Sequence, residues 1–402
     1  MIQEWKPDLL TKLYVYSLCL LVYAVAEVSW LIAVPRLPLY LVVMAFSIIK
    51  IIKNGITFNF KKFIWILVWF VFIMVIIISH NAYTAMLLHR ISYFFIFSTI
   101  ILLSLEEMKY LLNALTVCFV VILVISIPAW ILYLLGVPLP HTGPHYHSDN
   151  FHIYYDYYLF TTDARALSND YNRFSSIFLE PGQMATPCMF LFHINTREGK
   201  FFRFKNIVML VGVVMSFSLI AYGLLIVSLI VNQMNRVRFR IPLVIMTIFF
   251  LVGISIYFIN HEENAINALI ISRLEYDETE GNISGYNRTS EDFDLRYDQM
   301  MNTSNKYFGI HDERVNWTTN ASGYKNYIVH NGIVGFSLLM LLMLILLWDN
   351  FNRASLVFII MVVVAFLVRD LLITPLWLTP TIIGMYILGR RTQTSVYSDI
   401  HD

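Results

Sequence analysis

The sequence predicts an all-α integral membrane protein with about 12 transmembrane helices and two long loops outside the membrane. Of its 402 residues, 58% are hydrophobic and 14% are charged, whereas soluble domains have about 25% charged residues. The apolar residues come in blocks of about 20, the length that a helix needs to cross a bilayer. Lysine and arginine are concentrated in certain short segments between the blocks, which is typical of cytoplasmic loops.

Taken in chain order, the apolar blocks predict spans near 13–34, 37–52, 63–79, 88–105, 110–135, 176–194, 241–259, 326–348, 355–372 and 375–389. The first block is too long for a secretory signal and has no A-x-A cleavage site, so we interpret it as a retained span. The net charge of +1 is too small to create an overall positive field that would attract nucleic acid. The three cysteines lie in apolar blocks and indicate neither a disulfide framework nor a metal site.

The block 206–233 needs a separate argument. As one helix it would be about 42 Å long, well beyond the hydrocarbon thickness. The flanking segments are both basic and contain Arg197, Lys200, Arg203 and Lys205 before the block, and Arg236, Arg238 and Arg240 after it. Both therefore look cytoplasmic, and the block must cross an even number of times. We predict a hairpin of two short helices that turns near Ser216–Gly223.

The remaining charges predict one polytopic membrane domain over 1–402 with cytoplasmic termini. The residues that indicate the inner side are Lys6, Lys12, Lys50, Lys53, Lys61, Lys62, Arg390 and Arg391. By alternation, segments 136–175 and 260–325 are then the two long outer loops. Most charges lie in loops. Glu27 in the first span is the main exception, and Arg369-Asp370 near a helix end could be a structural pair or line a cavity.

The first outer loop is rich in histidine and tyrosine. His141, His145, His147 and His152 could bind a metal, although their spacing fits no known site. The tyrosines Tyr154, Tyr155, Tyr157 and Tyr158 could form an aromatic belt at the membrane interface, or their rings could stack on sugars.

The stretch from Tyr171 to Ala185 is the most informative part of the chain. Arg173 precedes an apolar run, Glu180 falls where a span should begin, and Pro181 suits the first turn of a helix. A carboxylate at that depth needs a partner or a wet cavity. Arg173 and Glu180 could form a structural ion pair, or they could line a cavity that binds phosphate.

The second outer loop is the most polar segment. It contains Arg273, Arg288, Arg296 and Arg314 among several acidic residues. Arginines suit a bidentate anion such as diphosphate, although a solvated mixed-charge loop is the alternative. After this loop, Gly332 and Gly335 indicate close helix packing, and His330 beside them is interpreted as a packed histidine.

Together, these features resemble the O-antigen polymerase and O-antigen ligase superfamily of bacterial envelope enzymes. The matching parts are RFSSIFLEPGQMA at 173–185, Phe217-Ser218-Leu219 in the hairpin, Leu295-Arg296-Tyr297, and Gly332-x-x-Gly335 after a large late loop. The ligases carry a His-Asn pair before the first of these glycines, and this chain has Ala321-Ser322 in its place. The sequence is therefore more similar to a polymerase, and no general base is assigned.

The resemblance implies a GT-C-like glycosyltransferase of the bacterial inner membrane that polymerises undecaprenyl diphosphate-linked oligosaccharides into O-antigen, capsule or exopolysaccharide. It implies the catalytic residues Arg173, Glu180 and Arg296. The candidates for substrate binding are Arg288 and Arg273, by charge and location, Tyr171, which precedes the motif, and Gln183, which lies within it. The expected partners are the donor and acceptor glycolipids, the bilayer and a chain-length regulator protein, with no nucleic acid, metal or cofactor. The alternatives are a ligase and a lipid-linked sugar flippase.

Overall fold

The structure is a computed structural model, and it describes residues 5–24, 36–54, 59–79, 84–146, 153–163, 173–197, 203–233, 276–277, 282–283, 291–310 and 323–398. The chain is mostly helical. It divides into two compact units. Unit 1 comprises Met1–Phe119, Asp294–Trp317 and Ser322–Asp402, and unit 2 comprises Val120–Phe293 and Thr318–Ala321.

The helices are α1 (Leu9–Ala24), α2 (Arg36–Asn54), α3 (Phe60–Ser79), α4 (Thr84–Leu102), α5 (Leu105–Leu134), α6 (Pro181–Thr196), α7 (Phe204–Met215), α8 (Leu219–Gln233), α9 (Glu291–Met301), α10 (Asn305–Phe308), α11 (Tyr324–Asp349), α12 (Arg353–Val368) and α13 (Pro375–Ser398). The strands are β1 (His145–Tyr146), β2 (Ile153–Asp156), β3 (Thr161–Asp163), β4 (Tyr276–Asp277) and β5 (Asn282–Ile283). All five strands lie in the two segments that the sequence predicts as long loops.

Among the described residues, three helices are long and apolar enough to cross a membrane: α3, α5 and α11. Shorter apolar helices cover Leu9–Ala24, Leu87–Leu102, Phe204–Met215, Leu219–Val231 and Arg353–Val368. A helix satisfies all of its interior backbone hydrogen bonds by itself, which an apolar surrounding requires. These helices are compatible with a membrane protein. The predicted span near 241–259 lies outside the described residues.

The core of unit 1 contains a column of aromatic rings on α3. Trp65, Trp69 and Phe72 follow one another at spacings of four and three residues and therefore share one face of the helix. Adjacent rings are stacked at centroid distances of 5.6 and 5.2 Å. The edge of Phe97 from α4 packs against Trp69 at 5.5 Å. Burying such large rings supplies much of the apolar stabilisation between these two helices.

A buried ion pair joins α2 and α5 in the same unit. The Lys50 Nζ lies 2.6 Å from Glu107 Oε1 and also donates to the Thr11 hydroxyl of α1 at 2.8 Å. The other carboxylate oxygen of Glu107 accepts from both the backbone and the hydroxyl of Ser104, which begins α5 as a capping box. Both charges are therefore satisfied by several partners.

In unit 2, the predicted division of 206–233 into two short helices is present, because α7 and α8 are separate helices joined at 216–218. α7 packs closely against α5: a Cβ added to Gly212 would lie 3.1 Å from a methyl group of Leu123. Strands β1, β2 and β3 form an antiparallel sheet in that order, with Tyr154 paired to both His145 and Asp163. The sheet gives the first predicted loop a fixed scaffold.

Candidate functional site

The segment 173–180 in unit 2 is non-helical and fixed by hydrogen bonds. The backbone N–H of Thr161 donates to the Ser176 carbonyl at 2.8 Å, and the Thr161 hydroxyl donates to the Phe178 carbonyl at 2.6 Å. The Ser126 hydroxyl of α5 lies 2.7 Å from that of Ser176. Ser176 has a positive φ of 55°, a conformation that these contacts must over-determine. The sheet and α5 therefore hold this segment in place.

Arg173 at the start of this segment holds the turn between α7 and α8. Its Nε donates to the Ser216 carbonyl at 3.3 Å, and its Nη2 donates to the Phe217 carbonyl at 2.9 Å. The backbone N–H of Phe174 adds a bond to the Met215 carbonyl. Cations are favourable at a helix C-terminus, where carbonyls lack partners and the helix dipole is negative. Arg173 thus has a structural role that the sequence did not show.

Glu180 is the N-cap of α6, with extended backbone, and Pro181 occupies the first helical position as predicted. The predicted span from 176 is corrected, since α6 begins at 181. The reason is that the cap and the Thr161 bonds hold residues 175–180 out of the helix. Glu180 is therefore half-buried at the end of a helix rather than inside it. A carboxylate there is favoured by the positive end of the helix dipole.

The first turns of α6 carry further polar groups. The Gln183 Oε1 and the Thr186 Oγ1 are both buried and lack a hydrogen-bond partner among the described residues. Residues three apart in a helix share a face, so these two oxygens lie on one side of α6. Buried acceptors without partners are uncommon and indicate a place for a water or a ligand group. Glu180 and Gln183 thus lie at the start of α6, whereas the described bonds of Arg173 go to the turn between α7 and α8.

Arg296 belongs to unit 1, on α9. The same helix contributes Asp294, whose Oδ1 lies 2.7 Å from Lys325 Nζ of α11, and Tyr297, whose ring centroid lies 5.5 Å from that nitrogen. Burial raises the pKa of Tyr297, so its hydroxyl stays protonated and can donate. The two arginines of the predicted catalytic set therefore lie in different units.

The first turn of α11 is a junction for several elements of unit 1. Gly323 precedes it with a φ of 86°, and a Cβ there would lie 2.5 Å from the Leu367 carbonyl of α12. Lys325 contacts α9, and the Asn326 Nδ2 donates to Asp370 Oδ2 at 2.6 Å. Asp370 therefore contacts the start of α11 as well as following Arg369 in the chain. The Tyr327 ring packs edge-on against Phe366 of α12 at 5.1 Å.

Gly332 breaks α11 into two helical pieces. Its φ of 66° and ψ of 176° are non-helical, and a Cβ there would collide with the Tyr307 carbonyl of α10. Gly309 is packed reciprocally, with a Cβ position 2.6 Å from the His330 carbonyl. The Ile310 N–H donates to the Val329 carbonyl at 2.8 Å. The predicted close packing of Gly332 is thus present, but its partner is the backbone of a loop segment.

Two arginines at the starts of helices in unit 1 were missed by sequence reasoning. Arg36 begins α2, and Arg90 lies seven positions into α4. Arg36 lies four residues before Tyr40 and Arg90 three residues before Tyr93, so each shares a helix face with one ring of this pair, whose centroids lie 5.5 Å apart. For Arg90 a signal was present in the sequence, because it lies inside the predicted span 88–105, where an arginine is unfavourable unless it has a function or a partner.

Other predicted site residues lie outside the described residues: Tyr171, Arg273, Arg288, Arg314, Glu27, His147 and His152. Within the described parts of the chain, no group of three or more His, Cys, Asp or Glu side chains could hold a metal ion. The His141 ring lies 5.0 Å from that of Tyr157, which in turn stacks on Phe160 at 4.8 Å. This aromatic cluster beside the sheet is compatible with either the interface role or the sugar-stacking role.

Comparison with known proteins gives no match: no protein-family model, curated protein or solved structure is similar to the chain. The resemblance to the O-antigen polymerase and ligase superfamily therefore rests on the quoted residues alone.

Proposed function

We propose that this chain is a lipid-linked glycan polymerase at the outer face of a bacterial inner membrane. In full, the proposal is a GT-C-like protein with about 12 spans and cytoplasmic termini. Three apolar helices of spanning length support the membrane part. The observation that supports the proposal is local to the motif: Glu180 is the N-cap of α6, and the buried Gln183 Oε1 in its first turn has no hydrogen-bond partner among the described residues.

The proposed reaction moves a growing glycan from undecaprenyl diphosphate to the terminal sugar of another lipid-linked repeat unit. The acceptor hydroxyl oxygen bonds to the anomeric carbon while the bond from that carbon to the diphosphate oxygen breaks. The diphosphate leaves with the electron pair, and the hydroxyl proton passes to a base or to solvent. Negative charge develops on the leaving group, so fixed cations in a water-poor site lower the barrier.

Each residue has a separate task in this proposal. From the resemblance, Arg173 and Arg296 are each assigned to diphosphate oxygens, which a planar guanidinium suits. The Glu180 carboxylate orients the acceptor or Arg173, and the unpartnered Gln183 Oε1 accepts a hydrogen bond from a sugar hydroxyl. Because the donor and the acceptor are both lipid-linked, both substrates reach the site from the bilayer.

The test measures glycan chain length in cells that lack the native gene and carry Arg173→Ala, Arg296→Ala or Arg203→Gln. We expect single repeat units from the first two variants and normal chains from Arg203→Gln, because Arg203 is exposed and precedes α7. Arg173→Lys keeps the positive charge proposed to bind diphosphate but loses the planar two-bond contact to the turn between α7 and α8. This variant therefore separates the proposed binding role of Arg173 from its structural role. Protein amounts in the membrane must be equal, and chains of normal length in either alanine variant would contradict the proposal.

A further inference from the structure

The start of α3 and the end of α11 meet at one end of unit 1. The two helices pack against each other, and both are long and apolar enough to cross a membrane. Trp348 is exposed at this end, as are Phe60, Phe63 and Phe351. Tryptophan is enriched where a bilayer meets water, so we expect this end of unit 1 at the depth of the lipid headgroups.

Two lysines in the first turn of α3 lie over aromatic rings of other helices. The Lys61 Nζ lies 5.0 Å from the ring centroid of Trp348 and donates to the Trp348 carbonyl at 3.1 Å. The Lys62 Nζ lies 5.1 Å from the ring centroid of Tyr386 of α13. The Tyr386 hydroxyl donates to Asp349 Oδ2 at 2.7 Å, and Asp349 directly follows Trp348 in the chain. These five residues therefore form a closed ring of contacts that holds both ammonium groups at the same end of unit 1.

Lys62 is the member of this ring that lacks a counter-charge. It is only 7% exposed. Apart from the contact with the Tyr386 ring, its ammonium group has no ion-pair or hydrogen-bond partner among the described residues. The Asp349 carboxylate accepts from Tyr386 instead. A buried cation without an anion is unfavourable, so the surroundings of Lys62 indicate a place for an anion that comes from outside the chain.

The charges around Lys62 favour such an anion. The two lysines and the exposed Arg390 carry three positive charges, and Asp349 carries one negative charge. Arg390 directly follows Gly389, where a Cβ would lie 2.5 Å from the Cβ of Asn350. The backbone of α13 therefore passes beside the residue after Asp349 and brings the guanidinium of Arg390 to this end of unit 1. An anion that arrives there meets an excess of positive charge.

We propose that Lys61 and Lys62 bind the phosphate of an anionic phospholipid headgroup at this end of unit 1. Ammonium groups bind phosphate oxygens as point charges, and basic groups between the ends of membrane helices suit lipid headgroups. Lys61 uses one of its three N–H groups on the Trp348 carbonyl, so the others are free to donate to the phosphate. The exposed Trp348 ring lies beside the lipid. The site goes beyond the proposed polymerase and does not depend on that activity.

Binding is measured by calorimetric titration of dioctanoyl phosphatidylglycerol into the full-length protein in maltoside micelles. Wild type should bind saturably. Lys62→Met keeps the apolar stem but loses a charge-assisted contact, so it should weaken binding by about 10- to 100-fold. Lys61→Gln changes a half-buried side chain and should weaken binding by about 10-fold. Lys12→Gln is the matched control, because it removes an exposed lysine of α1, and it should bind as wild type does.

Thermal midpoints separate lipid binding from a purely structural role of Lys62. Without added lipid, Lys62→Met should melt at or above the wild-type midpoint, because it removes a buried cation that lacks an anion. Phosphatidylglycerol should raise the midpoints of wild type and Lys12→Gln, because a ligand of the native state stabilises that state. It should raise the midpoint of Lys62→Met less. If Lys62 were only structural, the midpoint of Lys62→Met would differ from wild type by the same amount with and without the lipid.

Two further titrations identify the source of the phosphate. Dioctanoyl phosphatidylcholine has no net charge, and inorganic phosphate has no acyl chains, so each should bind at least about 10-fold more weakly than phosphatidylglycerol. The proposal is overturned if either of them binds as tightly as phosphatidylglycerol, or if phosphatidylglycerol does not bind wild type saturably. It is also overturned if Lys62→Met and Lys61→Gln both bind like Lys12→Gln.

Discussion

Replacing Gly332 with alanine tests whether the docking of α10 on the break in α11 stabilises the fold. The positive φ at this position is unfavourable for an L residue by about 1–2 kcal/mol. The new methyl group also collides with the Tyr307 carbonyl, a backbone atom that cannot rotate away. Overpacking of this kind is unfavourable by about 1–3 kcal/mol. We therefore expect Gly332→Ala to destabilise unit 1 by about 2–5 kcal/mol in total.

The matched control is Gly223→Ala, because Gly223 lies in α8 with nothing within 4 Å of a Cβ position. Alanine there should be neutral or stabilising by up to about 1 kcal/mol. Thermal midpoints of the full-length protein in one detergent rank the stabilities of the two variants. Hydrogen exchange of residues 305–310 shows where in the structure the destabilisation occurs. We expect faster exchange at Ile310 in Gly332→Ala, since the bond to Val329 must stretch or break. Equal midpoints and equal exchange in the two variants would refute the reasoning.

In the buried Lys50–Glu107 pair, removing one charge should be worse than removing both. Lys50→Met leaves Glu107 uncompensated and should destabilise the fold by about 3–5 kcal/mol. The double variant Lys50→Met with Glu107→Gln should recover most of that loss in thermal melts. No recovery in the double variant would mean that the charge of Glu107 is stabilised by its Ser104 bonds alone. Asp8 caps α1 through the Thr11 N–H and pairs with Lys53, and these contacts hold the pKa of its carboxyl well below its usual value. A lowered folded pKa adds stability above the unfolded value of about 3.9. In thermal melts, Asp8→Asn should therefore be about 1 kcal/mol less stable than wild type at neutral pH. The difference should shrink as pH falls below the unfolded value and disappear only below the lowered folded pKa. A difference that stays constant down to about pH 2–3 would contradict this linkage.

Helix positions followed from the sequence where the physical requirement is local. The length of 206–233 exceeds one crossing, and the structure has a break there at 216–218. Pro181 has no N–H to lose at a first turn, so its place at the start of α6 was predictable. That α6 begins at 181 rather than 176 was not predictable. It depends on hydrogen bonds from Thr161, which lies up to 20 residues earlier in the chain.

The parts that escaped prediction depend on contacts between distant segments. Gly332 lies in an apolar stretch that reads as one continuous helix, and only the approach of Tyr307 requires its positive φ. Arg173 was identified as a ligand-binding residue from its neighbours in sequence, yet its described bonds go to a turn more than 40 residues later.

The break at Gly332 also bears on the order in which the chain can fold. In a continuous helix, the Val329 carbonyl would accept from an N–H one turn later within α11. Here it accepts from Ile310, so α11 completes its backbone bonding through a segment outside its own span. In apolar surroundings an unsatisfied carbonyl is expensive. The backbone bonding of α11 at its break and the docking of residues 305–310 therefore depend on each other, because Val329 finds its partner only when both segments are in place.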